Sequence, residues 1–243
     1  MVTIDAIVLG GGQGTRFSNG KNPLPKQFQT LDDKPIFIHT LLRLEKLGCI
    51  RNYLLTVPVD FIELAHDQIG KFLSEPLKSR IRVIPGGNRR QDSSRVALEA
   101  LESGDQSPAR ILIHDACRPV LSDAFLSSVK EKLFDRSYGA WIPVIPVVDT
   151  LKKIENHEVK ETVDRNMVHR VQTPQVFEYA LIRSLMDRAN EQSQLNFTDD
   201  ASLCEYYGIP VGSFPGDVRN LKLTYDFELE TFRKILNEEK KEF

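Results

Sequence analysis

Short apolar runs rich in β-branched residues alternate along the chain with segments of helical periodicity. The apolar runs predict five buried strands, at Ile4–Leu9, Tyr53–Val57, Ile81–Ile84, Ile111–His114 and Ala140–Val148. The segments between them predict helices at Pro35–Leu47, Phe61–Leu73, Ser93–Leu101 and Phe125–Phe134. This alternation predicts an α/β fold in which a mostly parallel sheet is covered by helices on both faces through right-handed crossovers.

The alternation breaks at Asp149. Residues Leu151–Val171 alternate loosely and carry many charges, which predicts a β-ribbon or arm. Further elements are expected after Pro174: helices at about Ala180–Asn190, at Asp199–Tyr206 with Thr198 as its cap, and after a cap at Asp226, and short strands at Val211–Phe214 and Leu221–Leu223.

Length and composition narrow the possibilities. A chain of 243 residues with 41% apolar residues predicts a single domain, residues 1–243, with the arm at about 150–171. A formal charge of −2 gives no general attraction for nucleic acid or a membrane, and we expect neither as a partner. We expect no leader peptide or membrane span. Three widely spaced cysteines suggest neither a disulfide framework nor a metal cluster and favour a reducing, cytoplasmic compartment.

A glycine-rich loop follows the first predicted strand, where open α/β sheets bind their ligands. It begins at Leu9 and contains Gly10, Gly11, Gly12, Gly14 and Thr15. Glycines let backbone N–H groups approach an anion closely, and Arg16 and Lys26 add two positive charges, which together suit a polyphosphate. The loop lacks a dinucleotide fingerprint, because Phe17 occupies the third glycine position, and Asn22 after Gly20-Lys21 does not fit a P-loop. The alternative is an ordinary turn with surface cations.

A second glycine loop, Gly86-Gly87-Asn88, follows the third strand and leads through Ser93 into a helix. A helix N-terminus with exposed N–H groups favours phosphate or polar base edges, although a β-turn before a capped helix would have the same sequence pattern.

A third cluster follows the fourth strand. Asp115 is placed to meet Mg²⁺ or a ribose hydroxyl. Arg118 is either a ligand-binding cation or the partner of Asp115 in an ion pair that shapes the loop. His114 fits a structural histidine better than a base.

Three later segments supply Arg, Thr and Lys, the residue types that hold a second phosphate. They are Thr162–Arg165, Gln172–Gln175 and Asn220–Thr224. In isolation each could equally be a solvated surface group.

Together these clusters resemble the 2-C-methyl-D-erythritol 4-phosphate cytidylyltransferases of the non-mevalonate isoprenoid pathway, over nearly the whole chain. The matching segments are the first glycine loop with Arg16 and Pro25-Lys26-Gln27, Gly86 to Ser93, His114 to Pro119, Pro146 to Thr150, Thr162 to Arg165, Gln172 to Gln175, Thr198 to Leu203 and Asn220 to Thr224. The resemblance implies a Rossmann-like nucleotidyltransferase sheet with a protruding arm that pairs two subunits into a homodimer.

The resemblance also implies roles for individual residues. Arg16 and Lys26 would hold the CTP phosphates and act in catalysis, together with Arg165 and Lys222. The pocket for cytidine would contain Leu9, Gly10, Gly11, Gly12, Gly14, Thr15, Gly86, Gly87, Asn88, Ser93 and Asp115. The phosphate of the sugar-alcohol acceptor would be bound by Arg118, Thr150, Arg165, Thr173 and Lys222, with the arm reaching into the partner's site. Mg²⁺ would be held mainly by the CTP phosphates, with Asp115 as a candidate ligand, and no organic cofactor is expected.

Some positions depart from the family pattern. Gly10-Gly11 stand where Ala-Ala is common, Cys117 replaces a small residue, and Tyr225 replaces a proline. The first half, at Leu24–Phe28 and Lys34–Ile36, looks more like the ribitol 5-phosphate cytidylyltransferases, whereas the second half, which should hold the arm, looks more like the methylerythritol enzymes. The sequence therefore predicts cytidylyl transfer to 2-C-methyl-D-erythritol 4-phosphate. The alternatives are transfer to ribitol 5-phosphate and a nucleotide-binding regulatory protein without turnover; a nicotinamide-dependent oxidoreductase is disfavoured by the failed fingerprint.

Overall fold

A computed structural model describes residues 2–12, 24–102, 107–192 and 196–239. The twelve strands in these residues are β1 Ile4–Leu9, β2 Thr30–Leu31, β3 Lys34–Pro35, β4 Tyr53–Val57, β5 Ile81–Pro85, β6 Arg110–Asp115, β7 Ala140–Pro146, β8 Leu151–Glu155, β9 Glu158–Val163, β10 His169–Val171, β11 Gln175–Glu178 and β12 Gly212–Pro215. The seven α-helices in the same residues are α1 Ile36–Glu45, α2 Ile62–Phe72, α3 Arg90–Glu102, α4 Asp123–Phe134, α5 Tyr179–Glu191, α6 Ala201–Tyr206 and α7 Leu229–Glu239.

The central sheet is mixed, with a parallel half and a partly antiparallel half. Its strand order is β10-β7-β11-β6-β1-β4-β5, and β12 pairs with β7. Strands β6, β1, β4 and β5 run parallel, whereas β11 lies antiparallel between β6 and β7. The predicted α/β class with a mostly parallel sheet is confirmed, and the carboxyl ends of four parallel strands meet at one edge.

Each face of the sheet carries its own core. Along β1, Ile4, Ala6 and Val8 face the layer that holds α1, α2 and α4, while Ile7 and Leu9 face α3, α5 and α6. Burial on both faces explains why the parallel strands read as continuous apolar runs. A smaller cluster packs α7 against β2 and β3, with Leu31, Phe232 and Leu236 buried.

The arm is shorter than the sequence suggested. Strands β8 and β9 form a two-stranded antiparallel ribbon over residues 151–163. The chain then returns to the main sheet, because β10 at 169–171 pairs with β7. The expectation of a ribbon reaching Val171 is therefore wrong for its last part, since those residues bond to the sheet instead of to the ribbon.

Other differences concern short segments and caps. The predicted strand Leu221–Leu223 is an irregular segment, joined to the rest by a hydrogen bond from the Leu223 amide to the Cys117 carbonyl (2.9 Å). Helix α6 begins at Ala201, and the side chain of Asp199, not that of Thr198, accepts a bond from the Ser202 amide (3.2 Å). Asp226 opens a 3₁₀ turn before α7 instead of capping it.

Strand β11 was missed because Gln175–Glu178 is short and follows Pro174, which we interpreted as the end of the ribbon region. It fills the gap between β6 and β7 and brings Thr173 and Gln175 beside the end of β6. In the part of the chain that the structure describes, no helix combines the length and the apolar character needed to cross a bilayer.

Candidate active site

The two glycine loops meet at the carboxyl edge of the sheet. The Gly10 amide donates to the carbonyl of Thr56 at the end of β4 (2.9 Å), which fixes the chain as it leaves β1. A Cβ atom on Gly11 would lie 2.7 Å from Ser93 Oγ and 3.2 Å from the Cα of Gly86. The loops therefore approach so closely that only glycine fits at Gly11 and Gly86.

Side chains hold both loops open towards solvent. The Gln27 amide donates to the carbonyl oxygens of Gly10 and Gly12, the latter at 3.3 Å. Ser93 Oγ accepts a bond from the Gly87 amide (3.0 Å). Gln27 and Ser93 thus supply the hydrogen bonds that a packed core would otherwise leave unmade.

A first cavity of about 580 Å³ lies over these loops. Its lining includes Lys26, whose Nζ donates to the Leu223 carbonyl (2.8 Å) at the opposite wall. The lining residues are Leu9, Gly10, Gly11, Gly12, Lys26, Gln27, Gly87, Asn88, Arg89, Arg90, Ser93, Asp115, Cys117, Asn196, Phe197, Thr198, Lys222 and Thr224. A cavity of this size and polarity suits a nucleotide.

The carboxylate of Asp115, at the end of β6, is surrounded by three cations. Lys222 Nζ lies 2.9 Å and Arg118 Nε 3.3 Å from Oδ2, and Arg90 Nε lies 3.5 Å from Oδ1. Burial alone would raise the pKa of Asp115, but the charges of Lys222, Arg90 and Arg118 outweigh burial and hold that pKa well below its usual range. Asp115 is therefore ionised, and the cluster carries net positive charge.

His114 holds the loop after β6 from behind. Its Nε2 lies 3.1 Å from the Arg118 carbonyl, and its Nδ1 lies 2.9 Å from the Thr173 hydroxyl. The Thr173 oxygen in turn accepts a bond from the Asp115 amide (3.1 Å). This network assigns the proton to Nε2 and leaves Nδ1 as an acceptor. Because burial disfavours the charged ring, the pKa of His114 falls to about 4, so the ring is neutral and structural, as the sequence indicated.

A second cavity of about 400 Å³ adjoins the first. Arg90, Asp115, Thr198 and Lys222 line both cavities. The remaining lining residues of the second cavity are Arg118, Val171, Gln172, Thr173, Gln175, Asp199, Ser202 and Glu205. Two anionic ligands, one in each cavity, would therefore meet at the Asp115 cluster.

The structure brings most of the predicted site residues together. Leu9, Gly10, Gly11, Gly12, Lys26, Gly87, Asn88 and Ser93 line the first cavity, Arg118 and Thr173 line the second, and Asp115 and Lys222 line both. Gly86 lies directly behind Gly11. The predicted residues Gly14, Thr15 and Arg16 lie outside the described residues.

Two predicted acceptor residues lie away from both cavities of their own chain. Thr150 precedes β8 and is exposed, and Arg165 is exposed and donates to the Val148 carbonyl (2.8 Å). Arg118 also has a structural role, since it bonds to the Asn220 carbonyl (2.8 Å) in addition to Asp115, which agrees with the loop-shaping alternative.

The chain matches the family model described as "IspD: 2-C-methyl-D-erythritol 4-phosphate cytidylyltransferase" over residues 4–238. The chain belongs to this family. A 2-C-methyl-D-erythritol 4-phosphate cytidylyltransferase of Carboxydothermus hydrogenoformans is 37% identical over 231 residues, which are 95% of this chain and 94% of that protein. The crystal structure of 2-C-methyl-D-erythritol 4-phosphate cytidylyltransferase from Thermus thermophilus is 26% identical, has a TM-score of 0.73, and is covered over 100% of its chain by 98% of this one.

Some family relatives are longer. A protein of Bartonella bacilliformis named bifunctional enzyme IspD/IspF is 34% identical over 236 residues, and the match covers 97% of this chain but 57% of that protein. The chain thus spans a little over half the length of such bifunctional relatives.

A metal site built from protein carboxylates does not fit the surroundings of Asp115 in this family member. Its two oxygens already face three cations, which would repel Mg²⁺. Among the described residues, no group of three or more His, Cys, Asp or Glu could hold a metal ion. The role of Asp115 as a metal ligand is therefore not supported by its contacts.

The sequence reasoning missed Arg90, Asp199 and Gln27. Arg90 lies within the Gly86 to Ser93 segment, where attention to glycines and the serine hid a cation at the start of α3. Asp199 lies in a segment that we interpreted only as a helix start. Nothing in the spacing of these residues predicts their contacts, because the partners are distant in the sequence.

We expect Gly11→Ala to weaken CTP binding by about tenfold or more, because the added methyl group would clash with Ser93 and Gly86 and force the loops apart. Calorimetric titration of CTP measures the effect. The matched control is Gly70→Ala in α2, where an added Cβ would meet only Lys78 Nζ, at 4.0 Å. Unchanged CTP affinity in Gly11→Ala would show that the two loops do not form the nucleotide pocket.

We expect the free energy of unfolding to fall as the pH drops from about 6.5 to about 4. In that interval the unfolded chain takes up a proton that His114 refuses in the folded state, because its folded pKa lies below the ordinary value of 6.5. The loss approaches ~3 kcal/mol, by the free-energy equivalent of the pKa difference. Urea unfolding across this interval should show a flatter pH dependence in His114→Gln, while the exposed control His66→Gln keeps the wild-type slope. An unaltered slope in His114→Gln would contradict the assignment.

Proposed function

We propose that this chain transfers the cytidylyl group of CTP to 2-C-methyl-D-erythritol 4-phosphate and releases pyrophosphate. The observation that carries the proposal is the pair of adjoining cavities that share Arg90, Asp115, Thr198 and Lys222. The reaction joins two phosphate groups, and these cavities bring two phosphate ligands to one cationic cluster. Membership of the cytidylyltransferase family supplies the identity of the ligands.

The proposed chemical step is an in-line attack by an oxygen of the acceptor phosphate on the α-phosphorus of CTP. A new P–O bond forms, the bond from the α-phosphorus to the bridging oxygen breaks, and pyrophosphate leaves with that electron pair. The nucleophile is already largely ionised at neutral pH, since the second pKa of a phosphate monoester is ~6. The step needs no general base, in keeping with a neutral His114 whose two nitrogens are both occupied.

Catalysis in this proposal consists of bringing two anions together and neutralising the charge that develops on phosphorus. Lys26 and Lys222 both line the first cavity, and Arg16 precedes Lys26 in the sequence. Mg²⁺ enters as part of the CTP substrate complex, carried by the phosphates, because the oxygens of Asp115 are already occupied by cations.

Pyrophosphate release with CTP and Mg²⁺ tests the function, using methylerythritol 4-phosphate, ribitol 5-phosphate or no acceptor. We expect turnover with methylerythritol 4-phosphate to exceed that of the other two arms by about a hundredfold or more, since a site built around one acceptor leaves polar groups unpaired with another. Turnover with ribitol 5-phosphate alone would move the enzyme to the sister activity. CTP binding without pyrophosphate release in any arm would favour a regulatory nucleotide-binding protein.

Lys26→Ala should lower kcat by about a hundredfold or more, the usual cost of removing one electrostatic donor from a transition state. Its Nζ lies in the first cavity and bonds to the Leu223 carbonyl (2.8 Å), so the loss affects the site and not the core. Steady-state kinetics measures the effect, with the surface variant Lys71→Ala as the control. Near-normal turnover in a folded Lys26→Ala enzyme would remove Lys26 from the mechanism.

We further propose that residues 1–243 act as one cytidylyltransferase domain that pairs with a second copy through its arm. The arm and its flanks expose apolar side chains: Val148 (75%), Ile154 (54%), Val159 (63%) and Met167 (83%). Such an apolar surface is typical of an interface. Thr150 and Arg165 lie at the base of the same arm and outside their own cavities, so a second subunit is the means by which they would reach an acceptor.

Arg165→Ala should raise the KM for the acceptor by about tenfold or more and leave the KM for CTP within about threefold, because the guanidinium would contact only the acceptor phosphate. Lys160→Ala, on the same ribbon and paired with Glu158, is the control. Light scattering should show a dimer for wild type and both variants. A monomer, or equal effects on both KM values, would contradict the shared site.

We propose a reducing, cytoplasmic location. Cys49, Cys117 and Cys204 are all free thiols in the structure, which fits a compartment that keeps thiols reduced.

A further inference from the structure

Arg90 is a cation at an electrostatically unfavourable place. It is the first residue of α3, where the helix dipole disfavours positive charge. Only 23% of its side chain is nevertheless exposed to solvent. A largely buried guanidinium at a helix N-terminus is stable only if carboxylates compensate it.

Two carboxylates provide that compensation, from opposite walls of the site. Arg90 Nη1 lies 2.6 Å from Asp200 Oδ2 at the start of α6, and Nε lies 3.5 Å from Asp115 Oδ1 at the end of β6. Asp200 is 1% exposed, so its charge depends on this pair. Arg90 therefore divides its charge between a buried anchor, Asp200, and the central carboxylate, Asp115.

Asp115 has a second set of partners on its other oxygen. Arg118 and Lys222 both approach Oδ2, and Lys222 is the closer, at 2.9 Å. Lys222 is also the most exposed of the three cations, with 37% of its side chain accessible, compared with 23% for Arg90 and 12% for Arg118. Lys222 is thus the cation of the cluster that a substrate phosphate can draw away most readily.

A phosphate that takes Lys222 from Asp115 leaves the buried carboxylate with fewer counter-charges. That loss is costly unless other cations stay in place. Arg118 is fixed by its bond to the Asn220 carbonyl, and Arg90 is fixed by Asp200. The two arginines together can keep Asp115 neutralised while the lysine moves.

We propose that Arg90 is a positioning residue that holds the Asp115 carboxylate so that Lys222 can leave it and bind substrate phosphate at the junction of the two cavities. Asp200 sets how much of the Arg90 charge reaches Asp115. This inference rests on the proposed cytidylyltransferase function and assigns Arg90 and Asp200 to the acceptor step of that reaction.

The test compares two variants that break the same ion pair from its two ends. Arg90→Gln removes a counter-charge from Asp115, so Lys222 is held more tightly and the KM for methylerythritol 4-phosphate should rise about tenfold. Asp200→Asn frees the Arg90 charge for Asp115, so Lys222 is held less tightly and the same KM should fall or stay unchanged. Both variants should lose stability, because both break the Arg90–Asp200 pair.

Opposite effects on the acceptor KM separate positioning from a purely structural role, which would move both variants in the same direction. Arg90→Lys keeps the charge and should stay within about threefold of wild type. Arg95→Gln, further along α3 and paired with Glu99, is the matched control and should leave both KM values unchanged.

An unchanged acceptor KM in Arg90→Gln, or a raised one in Asp200→Asn, would overturn the inference. If Arg90→Gln does not fold, the Asp200→Asn and Arg90→Lys results decide on the same criteria. A wild-type enzyme that releases no pyrophosphate would instead refute the proposed function, so the two failures are distinguishable.

Discussion

The site depends on one buried carboxylate, Asp115, held at the end of β6 by cations from three different parts of the chain. Lys222, Arg118 and Arg90 lie 2.9, 3.3 and 3.5 Å from its two oxygens. Their charges overcome the effect of burial and keep the pKa of Asp115 low. Because one carboxylate cannot neutralise three cations, the cluster keeps a positive potential that suits phosphates.

The sheet explains why these groups meet. The parallel strands β1, β4, β5 and β6 deliver Gly10, Gly86 and Asp115 to the same edge. The antiparallel strand β11 then brings Thr173 beside His114, and a buried set of amide bonds from Gln172 and Asn220 ties the segment carrying Lys222 over the cavity. Fold and chemistry are joined through these few polar contacts, which leave little freedom for the walls of the site.

The sequence predicted the parts of the structure that repeat a simple pattern. The buried strands and both glycine loops follow from apolar runs and from glycine at strand ends, so the nucleotide side of the site could be anticipated from Leu9 to Gly12 and from Gly86 to Ser93. The roles of Arg90 and Asp200 could not, because an ion pair between residues so far apart in the sequence depends on how α3 and α6 pack. Strand β11 and the true end of the arm were missed for a similar reason: pairing partners, not local propensity, decide such short segments.

The central claim is that nucleotide and acceptor occupy the two cavities and meet at the Asp115 cluster. A crystal structure with the reaction product, 4-diphosphocytidyl-2C-methyl-D-erythritol, tests it most directly. The account predicts the cytidine between Gly11 and the Gly86 to Ser93 loop, the diphosphate beside Lys222, and the Arg90–Asp115 contact retained while Lys222 turns to phosphate. A product bound elsewhere, or a diphosphate with no contact to Lys222, would contradict the account.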